Sequence, residues 1–175
     1  MIFLGIDPGF SKTGYGIIKS ENNHLIHITN GVINLPKDGS FPIKIKIIYL
    51  EIQKIIKEFS PQEVAIETPF LAKNARTAIK LGQAQATAIL AAVNAGLKVY
   101  EYSPLEIKKS LVGYGRAEKT QVKQMVINLL GRCLPDSLNL DASDALATAI
   151  CHINHHKFLN LIDQYDRPFK RQTHL

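Results

Sequence analysis

The first residues of the chain contain the pattern that most restricts its fold. Ile2 to Ile6 form a short, almost wholly apolar run, which is typical of a strand buried on both faces of a sheet. The run ends at Asp7-Pro8-Gly9, a turn signal. Helical and strand-like segments then alternate along the 175 residues. The sequence therefore predicts a single α/β domain rather than a helix bundle or a β-sandwich.

Hydrophobic spacing predicts the other elements. Residues 13–19 and 24–34 are strand-like and flank a polar turn, which indicates a hairpin, and residues 64–66 and 99–102 are two further short strands. Helical spacing predicts helices over about 43–59, 72–95 and 118–130, and helices starting near 104 and 141. The periodicity fades beyond His156. We therefore expect a domain over residues 1–157 and a loosely ordered tail over 158–175.

Charge and composition restrict the function only loosely. The net charge of +6 favours a polyanionic partner such as nucleic acid, although an ordinary basic protein explains it equally well. Cys133 and Cys151 lie among apolar residues, as expected of reduced thiols in a cytoplasmic protein. The first apolar run has no basic residues before it, and no run approaches the ~20 residues of a membrane helix. We expect neither a signal peptide nor a membrane span.

Four acidic residues are the candidates for a catalytic site. Asp7 directly follows the first strand and Glu67 directly follows another. If these strands are adjacent and parallel, the two carboxylates lie side by side at the strand ends, where sites assemble in open α/β sheets. Asp141 and Asp144 are three residues apart at a helix start and so share one face. A favourable interaction with the helix dipole is the alternative explanation for this second pair.

Four converging acids would repel one another and raise each other's pKa values unless a cation joined them. Magnesium prefers oxygen ligands, and two ions ~3.5–4 Å apart would activate a water and stabilise the leaving oxygen in phosphodiester cleavage. The acids therefore predict a magnesium-dependent nuclease. His152, His155 and His156 also have the spacing of metal ligands on a helix, but that helix is already assigned to the core. A zinc site there is the less favoured alternative.

A series of motifs resembles, in the same order, the RuvC family of bacterial Holliday-junction resolvases. The series spans residues 2–156 and contains Gly5-Ile6-Asp7-Pro8-Gly9, Thr13-Gly14-Tyr15-Gly16, Ala65-Ile66-Glu67, Ala72-Lys73-Asn74-Ala75, Leu81-Gly82-Gln83-Ala84, Ala117-Glu118-Lys119 and Asp141-Ala142-Ser143-Asp144-Ala145. In this resemblance Asp7, Glu67, Asp141 and Asp144 fall on the metal-binding carboxylate positions. One departure is Phe10, which occupies a turn position where the family more often has a small polar residue.

The resemblance implies an RNase H-like fold, with a five-stranded mixed sheet flanked by helices. It implies a homodimer that makes symmetric paired nicks in four-way DNA junctions during recombination and repair, leaving 5′-phosphate and 3′-hydroxyl ends. The implied cofactor is Mg²⁺, two ions per subunit, with Mn²⁺ as a substitute. The implied partners are the RuvA and RuvB branch-migration proteins.

Basic and aromatic residues around the acids are candidates for contacts with DNA. Lys108 and Lys119 resemble the phosphate-contacting lysines of the family, and further candidates are Lys73, Arg76 and Arg116. Phe70 resembles an aromatic that stacks on junction DNA, which contributes ~1–3 kcal/mol per base, although a core position is the usual expectation for phenylalanine. The small residues from Gly82 to Ala92 either pack on the sheet or form the dimer interface that the resemblance implies.

Two other functions compete with this one. Asp7-x-Gly9 with Thr13-Gly14 also resembles the first phosphate loop of ATP-binding phosphotransferases of the sugar kinase and Hsp70-like superfold. Those proteins need two such domains and a second loop, which 175 residues do not provide. The other alternative is a catalytically inactive junction-binding protein, against which the presence of all four acids argues.

Overall fold

The computed structural model describes residues 1–69, 74–131, 134 and 138–170, with side chains as far as residue 158. The elements in chain order are β1 (Ile2–Asp7), β2 (Lys12–Glu21), β3 (His24–Asn34), α1 (Phe41–Phe59), β4 (Glu63–Glu67), α2 (Ala75–Asn94), β5 (Lys98–Tyr102), α3 (Pro104–Val112), α4 (Lys119–Leu130) and α5 (Leu140–Lys170).

The strands form one sheet in the order β3-β2-β1-β4-β5. β2 pairs antiparallel with both β1 and β3, whereas β4 pairs parallel with β1 and β5 pairs parallel with β4. The five-stranded mixed sheet flanked by helices is therefore confirmed. The hairpin expected between β2 and β3 is also present, and its turn residues Asn22 and Asn23 have the positive φ angles that asparagine tolerates.

Each face of the sheet has its own apolar core. The core under α1 and α2 includes the strand residues Leu4, Ile6, Ile17, Val64 and Ile66. The core under α3, α4 and α5 includes Phe3, Ile18 and Ala65 from the strands and Leu146 and Ile150 from α5. Because side chains alternate along a strand, Asp7 shares the second face with Phe3, and Glu67 shares it with Ala65.

Glycines on this second face let α5 lie directly on the sheet. Gly5 pairs with Gly16 across β1 and β2, and Gly14 pairs with Asp7. A Cβ atom at Gly5 would lie 2.0 Å from the carbonyl oxygen of Ala145, and one at Gly14 would lie 2.0 Å from that of Asp141. These contacts leave no room for a side chain at either position. The backbone of α5 therefore rests on β1 and β2, and its first turn lies beside Asp7.

The structure differs from the sequence-based boundaries at two helices. α2 begins at Ala75 with Asn74 as its N-cap, rather than at about 72, and residues 70–73 lie outside the described part of the chain. α5 continues through residue 157 to Lys170, so the expected boundary between domain and tail falls inside a helix.

Two expectations from composition can be compared with the structure. Cys151 is a buried free thiol, whereas Cys133 lies outside the described residues. Within the described residues, no helix has the length and apolar character needed to span a bilayer.

Candidate active site

Asp7 and Glu67 lie at the same edge of the sheet. β1 and β4 are parallel neighbours in which Ile6 is paired with Ile66, so the residues that follow them end adjacent strands. Neighbouring strands are about 4.8 Å apart, and both side chains are on the face that α5 covers. The sequence-based condition for a shared site, adjacent parallel strands, is met.

The first turn of α5 adds the second acidic pair. The turn is fixed by Asn139, whose side-chain oxygen accepts a hydrogen bond from the Asp141 backbone N–H at 2.9 Å. Its carbonyl oxygen accepts another from the Ser143 N–H at 2.9 Å. Since the backbone of Asp141 contacts Gly14, which pairs with Asp7, this turn meets the sheet at the ends of β1 and β4. The charges of Asp144 and Asp141 both act on Asp7.

This arrangement raises the pKa values of the two carboxyls at the ends of β1 and β4. Burial is the main cause that raises the pKa of Asp7 to about 7; the charges of Asp144 and Asp141 contribute to the rise, and that of Lys119 opposes it. Burial likewise raises the pKa of Glu67 to about 8, assisted by Asp7 and Asp144. Neutral carboxyls at pH 7 are the usual result of burying like charges without sufficient compensation. The site therefore has a deficit of positive charge.

Lys119 supplies part of that charge from the first residue of α4. Its Nζ atom donates to Asp144 Oδ2 at 2.6 Å, and this hydrogen bond is the main reason that the pKa of Lys119 is raised. The lysine side chain is 68% exposed, whereas that of Asp144 is 14% exposed. The sequence predicted a contact between Lys119 and phosphate. The structure adds a carboxylate partner, Asp144, which no local sequence pattern predicts.

A cavity of about 210 Å³ adjoins the carboxylates. Glu67, Asp144, Lys108 and Lys119 line its polar side, and Pro104, Ile107, Val122 and Ala147 line its apolar side. The predicted capping box of Ser103 and Glu106 is present, and it starts the helix that carries Lys108. The charge of Lys108 also lowers the pKa of Glu67. Lys108 therefore lies beside the carboxylates, and its contact with phosphate stays a prediction.

The donor set fits a hard divalent cation. As arranged here, no three described His, Cys, Asp or Glu side chains are close enough together to enclose an ion. Mg²⁺ does not require such an enclosure, because it commonly binds one or two protein carboxylates and takes its other ligands from waters and substrate phosphates. Burial, with the charge of Asp144, raises the pKa values of Asp7 and Glu67, and a bound cation would favour their ionised forms.

The structure does not gather all the predicted DNA-contacting residues at the carboxylates. Arg76 lines a separate surface groove with Phe41, Ile79, Lys80 and Gln83. Arg116 is exposed, and Phe70 and Lys73 lie outside the described residues. Phe10, the departure from the family pattern, lies beneath Lys80 with its ring centre 5.7 Å from Nζ.

The histidine alternative is not supported. His152 is buried, and its two ring nitrogens are hydrogen-bonded to Tyr102 and Glu63. Within the described residues, His152, His155 and His156 do not form a group that could hold a metal. The zinc site considered from their spacing is therefore wrong.

Known proteins resemble this chain over most of its length. The family model described as "Crossover junction endodeoxyribonuclease RuvC" matches residues 3–152. The protein of that name from Citrifermentans bemidjiense is 53% identical over 152 residues, covering 87% of this chain and 92% of the relative. The one from Geobacter sulfurreducens is 49% identical over 154 residues, covering 88% of this chain and 93% of the relative.

Solved structures give the same result. The structure of Thermus thermophilus RuvC has a TM-score of 0.81 and 28% identity, covering 90% of this chain and 96% of that one. The same protein in complex with Holliday junction substrate has a TM-score of 0.80 and 26% identity, with the same coverage. These neighbours confirm the expected RNase H-like fold. By sequence and by fold, this chain belongs to the RuvC family of crossover junction endodeoxyribonucleases.

Proposed function

We propose that this chain is a Holliday junction resolvase that cleaves phosphodiester bonds of four-way DNA junctions with Mg²⁺ bound by Asp7, Glu67, Asp141 and Asp144. The observation that carries the proposal is the deficit of positive charge at the ends of β1 and β4, where the pKa values of Asp7 and Glu67 reach about 7 and about 8. Two ions per subunit suit four carboxylates, and Mn²⁺, another divalent cation that accepts oxygen ligands, is expected to substitute.

The cation and the residues of the chain would make different contributions to phosphodiester cleavage. Divalent cations bound there supply Lewis acidity, which favours ionisation of the attacking water and offsets charge on the leaving oxygen. Asp7 and Glu67 would provide oxygens from the ends of adjacent strands, and α5 would provide those of Asp144. The apolar wall of Ile107, Val122 and Ala147 limits the water that reaches these oxygens. The expected products carry 5′-phosphate and 3′-hydroxyl ends.

Basic residues position the DNA backbone. Lys119 is mostly exposed and Lys108 borders the same cavity, so both ammonium groups are within reach of a phosphate at the carboxylates. Such contacts contribute affinity that depends on salt and carry no sequence information. Arg76, Arg116 and Lys73 are proposed to contact phosphates further along the junction arms, and Phe70 to stack on a base at the crossover.

A second copy of the chain is proposed to cover the exposed face of α2. Ile79, Leu90 and Val93 are 63%, 53% and 54% exposed, and their spacing places them on one face of the helix. Gly82 lies on the same face with open space around it, which would let another helix approach closely. An isologous contact here would direct two sites at one junction and give paired nicks. RuvA and RuvB are the proposed partners of this dimer on DNA in the cytoplasm.

Replacing Leu90 with glutamate is expected to convert the dimer to a monomer, because the interface would then bury a charge beside the same charge from the partner copy. Sedimentation at micromolar concentration measures the result. Leu129→Glu is the matched control, since Leu129 is 42% exposed on α4 and should leave the dimer intact. A wild-type protein that sediments only as a monomer would contradict the proposal.

The proposed function is tested by incubating the protein with a mobile four-way junction and with linear duplex, with and without Mg²⁺. We expect symmetric nicks on the junction alone, only when Mg²⁺ is present, and product ends that DNA ligase reseals. ATP hydrolysis without junction cleavage would favour the phosphotransferase alternative. Junction binding without cleavage would favour the inactive binding protein.

Magnesium affinity is expected to rise with pH. Asp7 and Glu67, with pKa values of about 7 and about 8, retain protons at pH 6 that the cation must displace. The apparent affinity should therefore increase by about tenfold or more per pH unit below pH 7 and level off above pH 8. Calorimetric titration with MgCl₂ in buffers of different ionisation enthalpy measures both affinity and proton release. Binding that is independent of pH from 6 to 8 would remove Asp7 and Glu67 from the metal site.

A further inference from the structure

A chain of buried hydrogen bonds lies under α5, away from the carboxylate site. His152 and Glu63 are only 2% and 7% exposed. His152 Nε2 is 2.9 Å from Glu63 Oε2, and its Nδ1 is 2.8 Å from the hydroxyl of Tyr102. The Tyr100 hydroxyl donates to the other carboxylate oxygen of Glu63 at 3.3 Å. These bonds join α5 to both β4 and β5.

The protonation states of His152 and Tyr102 decide which group donates in each hydrogen bond. Burial lowers the pKa of His152 and raises that of Tyr102, so the ring is neutral and the phenol keeps its proton. The Tyr102 hydroxyl therefore donates to Nδ1, and the Nε2–H donates to the carboxylate of Glu63. Each ring nitrogen has one partner, and a shift of the helix along the sheet would break both bonds.

The same residues lead back to the catalytic edge of the sheet. Tyr102 is paired with Glu67 across β5 and β4. Its carbonyl oxygen accepts hydrogen bonds from the backbone N–H and the hydroxyl of Thr68, at 2.8 and 3.2 Å. Thr68 directly follows Glu67. The backbone that carries Glu67 is thus tied to the residue whose side chain contacts His152.

Helix and strand have matching lengths between their two points of contact. Glu63 and Glu67 are four residues apart on one face of β4, a rise of roughly 13 Å. Asp144 and His152 are eight residues apart on α5, a rise of about 12 Å. Asp144 acts electrostatically on Glu67, and His152 is bonded to Glu63. The helix therefore runs antiparallel to the strand and meets it twice at the same spacing.

Between these two contacts the helix and the sheet meet through van der Waals packing. α5 rests there on Gly5 through its backbone and on Gly16 through Leu146, and such contacts fix how close the helix lies but form no directional bond along its axis. We propose that His152 is a positioning residue whose hydrogen bonds to Glu63 and Tyr102 set where α5 stops along β4, and thereby the distance from Asp144 to Glu67. This inference rests on the proposed function for its effect on cleavage.

His152→Phe tests the proposal, because phenylalanine is of similar size and makes neither bond. We expect Mg²⁺ affinity and kcat each to fall by about tenfold, as when groups that orient metal ligands are removed, with the Kd for junction DNA within about twofold of wild type. The exchange of the Thr68 amide hydrogen should accelerate. Glu63→Gln, made with His152 in place, keeps an acceptor for the Nε2–H. It should leave Mg²⁺ affinity, kcat and Thr68 exchange close to wild type.

Stability and positioning are separated by the triple variant His152→Phe, Glu63→Leu, Tyr102→Phe. It leaves none of the three side chains with an unpaired polar group, and the hydroxyl of the partly exposed Tyr100, which loses Glu63, can bond to water. The melting temperature should therefore recover relative to His152→Phe alone. The proposal requires that Mg²⁺ affinity and kcat stay low in this variant. Their return to wild-type values together with the melting temperature would overturn it, because packing alone would then place the helix.

Asn154→Ala is the matched control. Asn154 is two residues beyond His152 on α5 and donates to Ser110 of α3, so its loss weakens helix packing without touching β4. It should leave Mg²⁺ affinity and Thr68 exchange unchanged, and a loss equal to that of His152→Phe would overturn the proposal. Wild-type protein that binds Mg²⁺ without cutting junctions would contradict the proposed function. The Mg²⁺ affinity and Thr68 exchange of the variants would still decide the role of His152.

Discussion

Asp7→Asn is expected to reduce junction cleavage by at least about 10³-fold while junction binding changes little. The amide has the size of the carboxyl but lacks the charge that a divalent cation requires, and removing one group that stabilises transition-state charge commonly costs 10²–10³-fold or more. Binding persists because lysine contacts with phosphates supply most of the affinity. Single-turnover cleavage and gel-shift titration measure the two quantities. A variant that still cuts with Mg²⁺ would show that the metal site is elsewhere.

The same substitution should stabilise the metal-free protein. The pKa of Asp7 is about 7 in the folded protein and 3.8 in the unfolded reference, so the folded state holds the proton more tightly. This contribution is fully present below pH 4 and is lost as the pH rises towards 7. Asparagine does not ionise and has no such loss. At pH 8 without metal we therefore expect Asp7→Asn to raise the free energy of unfolding by about 1–3 kcal/mol, and each kcal/mol should raise the melting temperature by a few degrees. Asp38→Asn, at an exposed turn, should change neither property.

Gly14→Ala is expected to have the second largest effect. The added methyl would lie 2.0 Å from the carbonyl oxygen of Asp141 and 2.5 Å from its carbonyl carbon. Both are backbone atoms in the first turn of α5, so the turn itself must move, and with it Asp141 and Asp144. We expect cleavage to fall by about 10²-fold, the cost of a displacement of roughly 1 Å in a site of this kind, with a loss of about 1–3 kcal/mol in stability. Single-turnover kinetics and thermal unfolding measure the two effects.

Gly16→Ala is the matched control on the same strand and face. Its methyl would meet mainly the Leu146 side chain, at 2.6 Å from Cδ2, and that side chain can change rotamer more easily than a helix backbone can move. Stability should fall less than in Gly14→Ala, and cleavage by no more than a few fold. Equal losses of cleavage in both variants would mean that general destabilisation, and not displacement of the acidic turn, explains the effect.

The sequence was sufficient for features that depend on neighbouring residues. The apolar run of β1 and the carboxylate after it, the hairpin, and the capping box at Ser103 are all local patterns, and the structure confirms them. Adjacency of β1 and β4 was only a condition in the sequence, because periodicity does not reveal strand order. The start of α2 was placed too early, and α5 continues beyond residue 157, where a tail was expected.

The features that were not predicted from the sequence are contacts between residues far apart in the chain. Gly14 lies within a predicted strand, and no local pattern shows that Asp141 rests on it. His152 and Glu63 are 89 residues apart, and neither has a local pattern that predicts a buried bond. Lys119 was predicted from its resemblance to phosphate-binding lysines, but its bond to Asp144 depends on how α4 meets α5. Tertiary packing determines these contacts, and the sequence pattern does not.

The contact of α5 with β1 also bears on when the enzyme can act during its synthesis. The first strand leaves the ribosome early, yet its carboxylate has no acidic partner on α5 until Asp141 and Asp144 have been translated and the helix has docked on Gly5 and Gly14. Domains fold as units once enough of the chain has emerged. A ribosome-bound fragment that ends before α5 therefore lacks the assembled site, and we expect it not to cleave DNA.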